Sequence, residues 1–401
     1  ERIIELDSRR RSLIASCEAD KAAQNKTSKL IPQIKKSGGD TAEIFEQMNV
    51  LKEKIRESET ELRTVEEDLD GLMLSLPNTP DGDLASGGKE NNEPLRYYGE
   101  PHKFDFEPKN HVDLCTHLGL IDYQRGTKLS GSGFWIYRGA GARLEWALLN
   151  YFIDTHIADG YELLLVPHML EYKCGLTAGQ FPKFDYEVFR IANPTDERIH
   201  YMLPTAEAAL VSIHRDEILL EAELPKKYIS YTPCFRREAG AYGADERGMV
   251  RGHQFNKVEM VQFTTPDGSD AAFDELVSKA ERLVMGLGFH FRTVKLAAGD
   301  CSAAMARTYD IEIQIPSMNG YKEVSSVSNA RCYQARRGAM RFRRSETGKI
   351  EYMHTLNGSG LATSRILPAL VEQNQQSDGS IIVPEVLRKY LGGLEIITSG
   401  A

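Results

Sequence analysis

The most informative part of this 401-residue chain opens with Phe235-Arg236-Arg237-Glu238 and closes with His253-Gln254-Phe255-Asn256-Lys257-Val258-Glu259. Between them lies a glycine-rich segment that ends at Arg247-Gly248. The pattern predicts a strand that ends in Arg-x-Glu, then a loop, then a returning strand. Such a hairpin would bring Arg236 and Glu238 beside Phe255 and Glu259.

These side chains together suit a nucleotide site. An arginine fork is planar and always charged, so it can bridge two oxygens of an α-phosphate. A carboxylate beside it can accept a hydrogen bond from an adenine amino group, and an aromatic ring can stack on the purine. Taken singly, each residue is more often a surface charge or a core aromatic, so the interpretation depends on the rest of the chain.

The segments around this hairpin predict an α+β domain. Strands are expected at Val258–Phe263, Tyr309–Ile315 and Gly320–Ser326, and helices at residues 139–159 and 270–286. Strands separated by turns as well as by helices favour a mostly antiparallel sheet.

The first 76 residues follow a different pattern. Apolar residues alternate at four- and three-residue spacing along one segment, at Ile44, Met48, Leu51, Ile55, Leu62, Val65, Leu69 and Leu72. This heptad seam predicts a long helix that packs against a partner helix. A weaker repeat upstream and the turn at residues 36–40 complete an antiparallel hairpin roughly 50 Å long, in which Pro32 should kink or loosen the first helix.

The charges of the predicted hairpin are unequal. Residues 1–36 hold nine Lys and Arg against five Asp and Glu, whereas residues 41–76 hold four against ten. Ion pairs between the helices of a solvated coiled coil would explain this. Alternatively, the first helix turns its cations toward RNA phosphates; the candidates are Arg9, Arg10, Arg11, Lys21, Lys26 and Lys29.

The remaining composition limits the alternatives. Residues 77–100 are rich in Pro, Gly, Asp and Asn and are predicted to form a linker.

The net charge of −9 argues against a general polyanion binder. The six scattered cysteines fit reduced thiols in the cytoplasm, and no apolar run is long enough for a membrane span. Because the chain starts with Glu1 and not Met, we expect a natural N-terminus further upstream. Neither a P-loop nor a G-x-G-x-x-G or G-x-S-x-G motif is present.

Several segments resemble the signature motifs of class II aminoacyl-tRNA synthetases, in the form found in seryl-tRNA synthetases. Residues 235–259 resemble motif 2. Residues 141–145 (GARLE), through 160–162 (GYE) to Pro167, resemble motif 1, and residues 357–362 (NGSGLA) with Arg365 resemble motif 3. Thr205-Ala206-Glu207 matches the T-x-E element, and Glu323-Val324-Ser325-Ser326 matches E-[IV]-S-S. The resemblance covers nearly the whole chain, including the hairpin.

This resemblance implies an α+β fold in three parts. An N-terminal antiparallel two-helix coiled-coil arm, residues 1–76, would bind tRNA. After the linker, residues 101–401 would form a class II catalytic domain on a mostly antiparallel sheet flanked by helices.

The resemblance also implies a role for each matching residue. Serine would be bound by Thr205, Ala206, Glu207, Arg236, Glu259, Asn357 and Ser359. ATP would be bound by Arg236, Arg237, Glu238, Phe255, Glu323, Val324, Ser325, Ser326 and Arg365. The catalytic residues would be Arg236, Glu323 and Arg365, and Mg²⁺ would be held by Glu323 and Ser326.

The implied reaction is activation of L-serine by ATP to seryl-adenylate, followed by transfer to the 3′ end of tRNA-Ser. The resemblance also allows tRNA-Sec as a second substrate. It implies a cytoplasmic homodimer with motif 1 at its interface.

Two stretches depart from the family pattern, and the changes in the motif 2 loop concern the transfer step. Ala244 and Glu246 stand in the motif 2 loop where the family usually has Arg and Thr, and residues 327–333 (VSNARCY) also differ from the usual sequence. Two alternatives therefore stay open: an adenylate-forming ligase that loads a carrier protein, and an inactive paralogue that acts as an RNA-binding subunit. The long arm argues against the first, and the retained Arg236, Glu238 and Glu323 argue against the second.

Overall fold

The computed structural model describes residues 1–38, 40–193, 195, 198–238, 248–318 and 320–399. The chain divides into two compact units, Glu1–Leu76 and Pro77–Ala401. The helices are α1 (Arg2–Lys36), α2 (Ala42–Ser75), α3 (His111–His117), α4 (Tyr123–Ser130), α5 (Gly139–Ala158), α6 (Tyr172–Ala178), α7 (Glu207–Val211), α8 (Ser269–Gly286), α9 (Tyr333–Arg337), α10 (Thr363–Gln373) and α11 (Glu385–Arg388).

The strands all belong to the second unit. They are β1 (Glu93–Tyr98), β2 (Ile121–Asp122), β3 (Ile136–Tyr137), β4 (Glu162–Leu163), β5 (Met169–Glu171), β6 (Arg190–Ile191), β7 (His200–Met202), β8 (Ile218–Leu220), β9 (Lys226–Phe235), β10 (Gln254–Thr264), β11 (Phe291–Lys295), β12 (Arg307–Gln314), β13 (Tyr321–Arg331), β14 (Arg341–Arg343), β15 (Ile350–Tyr352), β16 (His354–Ala362), β17 (Ile381–Ile382) and β18 (Ile396–Ile397).

The first unit is the helical hairpin that the heptad pattern predicts. Leu6 and Leu13 of α1 pack against Val65 and Leu69 of α2, and all four side chains are buried. The helix α1 continues through Pro32 to Lys36, so Pro32 does not end the helix.

Ion pairs within the hairpin use several of its basic residues. Arg9 pairs with Glu61 at 2.6 Å and Lys21 with Glu59 at 2.7 Å, in both cases between the helices. Arg10 and Arg11 pair with Asp7 of their own helix, whereas Lys26 and Lys29 have no ion pair within the described residues. Interhelical pairing therefore accounts for part of the charge asymmetry.

The second unit is built on a sheet that, over the described residues, has eight strands in the order β1-β11-β12-β13-β16-β10-β9-β4. Neighbouring strands are antiparallel except for β4 and β9. The helices α5, α8 and α10 contribute buried residues to one apolar core with this sheet, among them Leu148, Phe152, Leu276 and Leu370. The α+β class with a mostly antiparallel sheet is confirmed.

The segment 77–100 is not the free linker that its composition predicts. Its strand β1 forms the edge of the main sheet by pairing with β11. Upstream of β1, Asn78 donates to the backbone oxygens of Ala304 and Ala330, and Asp81 forms an ion pair with Arg331 at 2.7 Å. The Asn and Asp side chains that indicated a linker make tertiary contacts instead, and the second unit begins at Pro77.

Candidate active site

The candidate site is a cavity of about 630 Å³ over the middle of the main sheet. The strands β9, β10, β13 and β16 bring the predicted segments together, because β10 pairs with both β9 and β16, and β13 pairs with β16. Glu259 of β10 thus lies opposite Ser359 of β16. The predicted residues that line the cavity are Thr205, Glu207, Arg236, Glu238, Glu259, Glu323, Ser326, Asn357 and Ser359.

Arg236 follows the end of β9 and lies half-buried at this cavity. Its guanidinium carbon lies 5.2 Å from the centre of the Phe255 ring, and its Nε donates to the backbone oxygen of Pro204 at 3.3 Å. Within the described residues, no carboxylate lies at ion-pair distance from this guanidinium. A fixed cation that lines a cavity without an acidic partner is suited to bind an anion.

A second, smaller cavity of about 90 Å³ adjoins this arginine. Its lining includes Arg236, Glu238, Phe255, Val324 and Arg365. The Nη1 of Arg365 donates to the backbone oxygen of Glu323 at 2.7 Å and lies 3.6 Å from its carboxylate. Six of the nine predicted ATP residues therefore line one space: Arg236, Glu238, Phe255, Glu323, Val324 and Arg365.

Glu238 is held in an unusual backbone conformation beside that space. Its φ of 48° lies in the left-handed region, which a residue with a side chain rarely adopts. Its carboxylate pairs with Arg251 at 2.6 Å. Arg251 lines both cavities and was not singled out from the sequence, because one arginine in a loop carries no recognisable pattern.

The other end of the main cavity is acidic. Glu259 is almost completely buried, and its Oε1 accepts a hydrogen bond from Asn357 at 3.0 Å. The Oδ1 of Asn357 is buried and has no hydrogen-bond partner within the described residues. Glu207 accepts from Gln334 at 2.8 Å. Two carboxylates and an open amide oxygen suit a ligand that carries an ammonium group and a hydroxyl.

Burial raises the pKa of Glu207 to about 7, and the negative charge of Glu259 adds to this effect. Lys257 opposes it, because its ammonium favours the charged form of Glu207. The carboxyl group of Glu207 thus changes charge near neutral pH, where small changes in its surroundings alter its protonation.

Further acidic residues lie on β12 and β13. Asp310, Glu312 and Glu323 line another cavity of about 560 Å³, together with Ser326. Burial raises the pKa of Asp310 well above its usual range, and the charge of Glu323 raises it further. The Oδ1 of Asp310 has no hydrogen-bond partner within the described residues.

Three predicted site residues do not line these cavities. Arg237 is exposed and donates to the backbone oxygen of Tyr186 at 2.9 Å, pointing away from Arg236 as expected for neighbours along an extended chain. Ala206 is fully buried in an apolar cluster behind the site. Ser325 is also buried and donates to the backbone oxygen of Ser359 at 2.6 Å, so its role is to join β13 to β16.

Of the two stretches that depart from the family pattern, residues 327–333 are described, and Ser328 belongs to the lining of the main cavity. Ala244 and Glu246 of the motif 2 loop fall outside the described residues.

Lys257 is the most important residue that sequence reasoning missed. Its side chain is buried and pairs with Glu259. The sequence signal was the spacing of two, which places residues 257 and 259 on the same face of a strand.

Comparison with known proteins begins with the catalytic unit. Residues 187–374 match the family model described as tRNA synthetase class II core domain (G, H, P, S and T). This match places the sheet and its cavities in the class II synthetase fold. Residues 1–80 match a second model, the seryl-tRNA synthetase N-terminal domain.

Full-length relatives narrow the assignment. The chain is 61% identical to serine–tRNA ligase 2 of Clostridium acetobutylicum, over 97% of this chain and 92% of that protein. It is 44% identical to a serine–tRNA ligase of Nitratidesulfovibrio vulgaris, over 98% and 92%. The crystal structure of seryl-tRNA synthetase from Pyrococcus horikoshii complexed with ATP superposes with a TM-score of 0.90 at 31% identity, covering 100% of this chain and 93% of that one. The chain belongs to the seryl-tRNA synthetase family.

Proposed function

We propose that the main cavity binds serine and the α-phosphate of ATP on either side of Arg236. The chain activates L-serine with ATP and transfers the seryl group to tRNA. The observation that carries the proposal is the Arg236 guanidinium, which has no carboxylate partner within the described residues and lies between the acidic end and the Phe255–Arg365 cavity. Arg236 holds the serine carboxylate and the α-phosphate together, and so offsets the repulsion between two anions.

The adenine ring enters between Phe255 and Arg365. Both side chains line the smaller cavity, the ring of Phe255 offering a face for stacking and the guanidinium of Arg365 covering the other side. The carboxylate of Glu238 accepts a hydrogen bond from the adenine amino group. Its fixed backbone and its pair with Arg251 hold the carboxylate in place before ATP binds.

The serine side chain and ammonium group enter the acidic end. Glu207 and Glu259 attract the ammonium group, while Asn357 and Ser359 lie within the lining that faces the hydroxyl. Alanine would leave these buried polar groups unpaired, which costs more than the loss of one favourable contact. Threonine would be excluded by its additional methyl group.

The reaction needs no covalent enzyme intermediate. The serine carboxylate attacks the α-phosphorus in line, an O–P bond forms, and the bond to pyrophosphate breaks. The terminal ribose hydroxyl of the tRNA then attacks the seryl carbonyl and AMP leaves. Catalysis is the result of positioning and of charge neutralisation by Arg236 and Arg365.

Glu323 and Ser326 fit a site for Mg²⁺. Both side chains line the cavity of about 560 Å³ and offer ligand oxygens to it. This fits Mg²⁺, which uses one or two carboxylates together with substrate phosphates. When bound, the ion would neutralise phosphate charge, and Arg365 keeps Glu323 in position for it.

The macromolecular partner is tRNA-Ser, and tRNA-Sec remains a candidate second substrate. The helical hairpin offers Lys26 and Lys29, which have no ion pair within the described residues, together with the exposed faces of Arg9, Arg10, Arg11 and Lys21. Contacts of this kind read the backbone and shape of RNA more than its sequence. Because the ribosome uses the product, the enzyme belongs in the cytoplasm.

A homodimer completes the proposal. Exposed apolar side chains lie on α5, on β4 and just after β4, in the region that resembles motif 1: Trp146, Ile157, Leu163 and Leu165. Leu165 is 81% exposed and Trp146 is 53% exposed. An exposed apolar patch marks an interaction site, and aromatic side chains such as that of Trp146 are enriched at interfaces.

The function is tested by ATP–pyrophosphate exchange with each of the twenty amino acids, followed by aminoacylation of tRNA-Ser. Exchange with serine alone is expected. Equal exchange with alanine or threonine would contradict the proposed pocket, and absence of charging would favour a different acceptor.

A further inference from the structure

Lys257 lies inside the acidic end of the cavity. A positive charge is unexpected there, because this end is proposed to bind the ammonium group of serine. Its Nζ forms an ion pair with Oε2 of Glu259 and donates to the hydroxyl of Thr205 at 2.7 Å. Only about 6% of the residue is exposed. A buried lysine is stabilised only if its charge and its hydrogen bonds are matched, and these two partners are both residues of the proposed serine pocket.

The hydrogen bonds of Thr205 are fully used within the protein. A hydroxyl has one hydrogen to donate and two lone pairs to accept. The hydrogen goes to Oε2 of Glu259 at 3.3 Å, and the lone pairs take Lys257 and the backbone amide of Glu207 at 3.2 Å. Thr205 therefore has no capacity left for a direct hydrogen bond to a ligand while Lys257 is in place.

Counting hydrogen bonds in the same way shows that one acceptor position on Glu259 stays open. A carboxylate offers about four lone-pair positions. Oε2 accepts from Lys257 and Thr205, and Oε1 accepts from Asn357. One acceptor position, on Oε1, remains for an incoming amino acid.

We propose that Lys257 is a positioning residue that sets amino-acid specificity. By holding Oε2 of Glu259 and the hydroxyl of Thr205, it leaves a single acceptor on Glu259, at Oε1 beside Asn357, and directs that acceptor toward the hydroxyl of serine. This inference rests on the proposed function, since it assumes that serine binds at this end of the cavity.

Lys257 also sets the charge of the pocket. Glu207 and Glu259 together would bring two negative charges into a buried space, and Lys257 reduces their formal sum to one. That sum matches the single positive charge of the substrate ammonium group. Without Lys257, repulsion between the two carboxylates would favour protonation of one of them, and Oε2 of Glu259 would lose the cation that fixes its direction.

The test compares K257M with the parent enzyme in serine-dependent ATP–pyrophosphate exchange. We expect KM for serine to rise at least tenfold, KM for ATP to stay within twofold, and the serine-to-alanine ratio of kcat/KM to fall at least tenfold. A merely structural role would lower Tm and the fraction of active sites but leave KM for serine within twofold, and that result would overturn the proposal.

K279M is the matched control. Lys279 is another buried lysine paired with a glutamate, Glu275, but it lies on α8 and does not line the cavity. Its loss should lower Tm without changing KM for serine. If K257M does not fold, K257Q carries the test, because it removes the charge but keeps a hydrogen-bond donor. A rise of at least threefold in KM for serine supports the proposal, and an unchanged KM overturns it.

Failure of this inference can be told apart from failure of the proposed function. If E259Q raises KM for serine and the Lys257 variants do not, only the role of Lys257 is wrong. If neither E259Q nor R236M affects exchange, the cavity is not the site of activation and both proposals fail.

Discussion

At the scale of single residues, the site depends on how unlike charges are distributed around one cavity. Arg236 presents a cation without an acidic partner in the described residues, whereas the serine end holds two carboxylates and one lysine. The sequence predicted most of these residues through the resemblance. Lys257 was missed, because its spacing of two from Glu259 does not by itself show that the lysine is buried.

Glu207 should give the exchange reaction a pH dependence. Its pKa is raised to about 7, chiefly by burial, so the carboxyl group is mostly protonated at pH 6 and mostly charged at pH 8. Only the charged form attracts the ammonium group of serine. We expect kcat/KM for serine to rise between pH 6 and pH 8, and we expect this rise to disappear in E207Q. A rise of equal size in E207Q would rule out Glu207 as its source.

Phe255 should affect ATP and not serine. Stacking of a base on an aromatic ring contributes about 1–3 kcal/mol in nucleic-acid complexes, so F255A should raise KM for ATP about tenfold. KM for serine should stay within about threefold. An F255A enzyme whose KM for ATP is unchanged would place the adenine elsewhere.

At the scale of secondary-structure elements, the sequence pattern predicted helices and strands better than the segment that connects the two units. The predicted strand Val258–Phe263 lies within β10. Tyr309–Ile315 matches β12 except for Ile315, Gly320–Ser326 matches β13 except for Gly320, and α5 and α8 lie at the predicted helices. The segment 77–100 was misjudged because Pro, Gly, Asp and Asn also serve as anchors. Asn78 and Asp81 make tertiary contacts that composition cannot reveal.

The hairpin should bind tRNA through the lysines of α1 that have no ion pair in the described residues. K26A/K29A should raise KM for tRNA-Ser several-fold, with a weaker dependence of binding on salt because fewer phosphate contacts remain. Serine-dependent exchange should be unchanged. The matched control is K52A/R63A, which removes two cations from α2. If both double variants weaken charging equally, the effect is one of total charge and not of the α1 surface.

At the scale of the whole molecule, one buried acid links stability to pH. Glu145 of α5 accepts from Asn256 and Thr363, and burial raises its pKa from the usual 4.5 to about 7. Between these two values the folded chain binds more protons at this group than the unfolded chain does. Stability from this group is therefore present at low pH and is lost as pH rises toward 7.

The variant E145Q should not lose stability in this way as pH rises. Its amide oxygen can still accept from Asn256 and Thr363, while no carboxylate has to be charged in the core. We expect the Tm of E145Q to fall less than that of the parent between pH 5.5 and pH 8. An identical pH dependence of Tm in both proteins would contradict the assignment.

Assembly is the other property of the whole molecule. The sequence does not reveal a subunit interface, because in a single chain the interface residues are exposed like other surface residues. The proposed dimer should have about twice the 45.0 kDa mass of the chain by light scattering. L165D should shift the protein toward the monomer, because it places a charge within the apolar surface near β4. A parent protein that is monomeric at micromolar concentration would contradict the dimer.

The central claim is that Arg236 joins the carboxylate of serine to the α-phosphate of ATP. The most direct measurement is serine-dependent ATP–pyrophosphate exchange by R236M, with Tm recorded beside it. We predict a loss of about 1000-fold or more in kcat/KM with little change in Tm, because the guanidinium acts on the reacting anions and has few internal partners. Exchange within tenfold of the parent enzyme would contradict the claim.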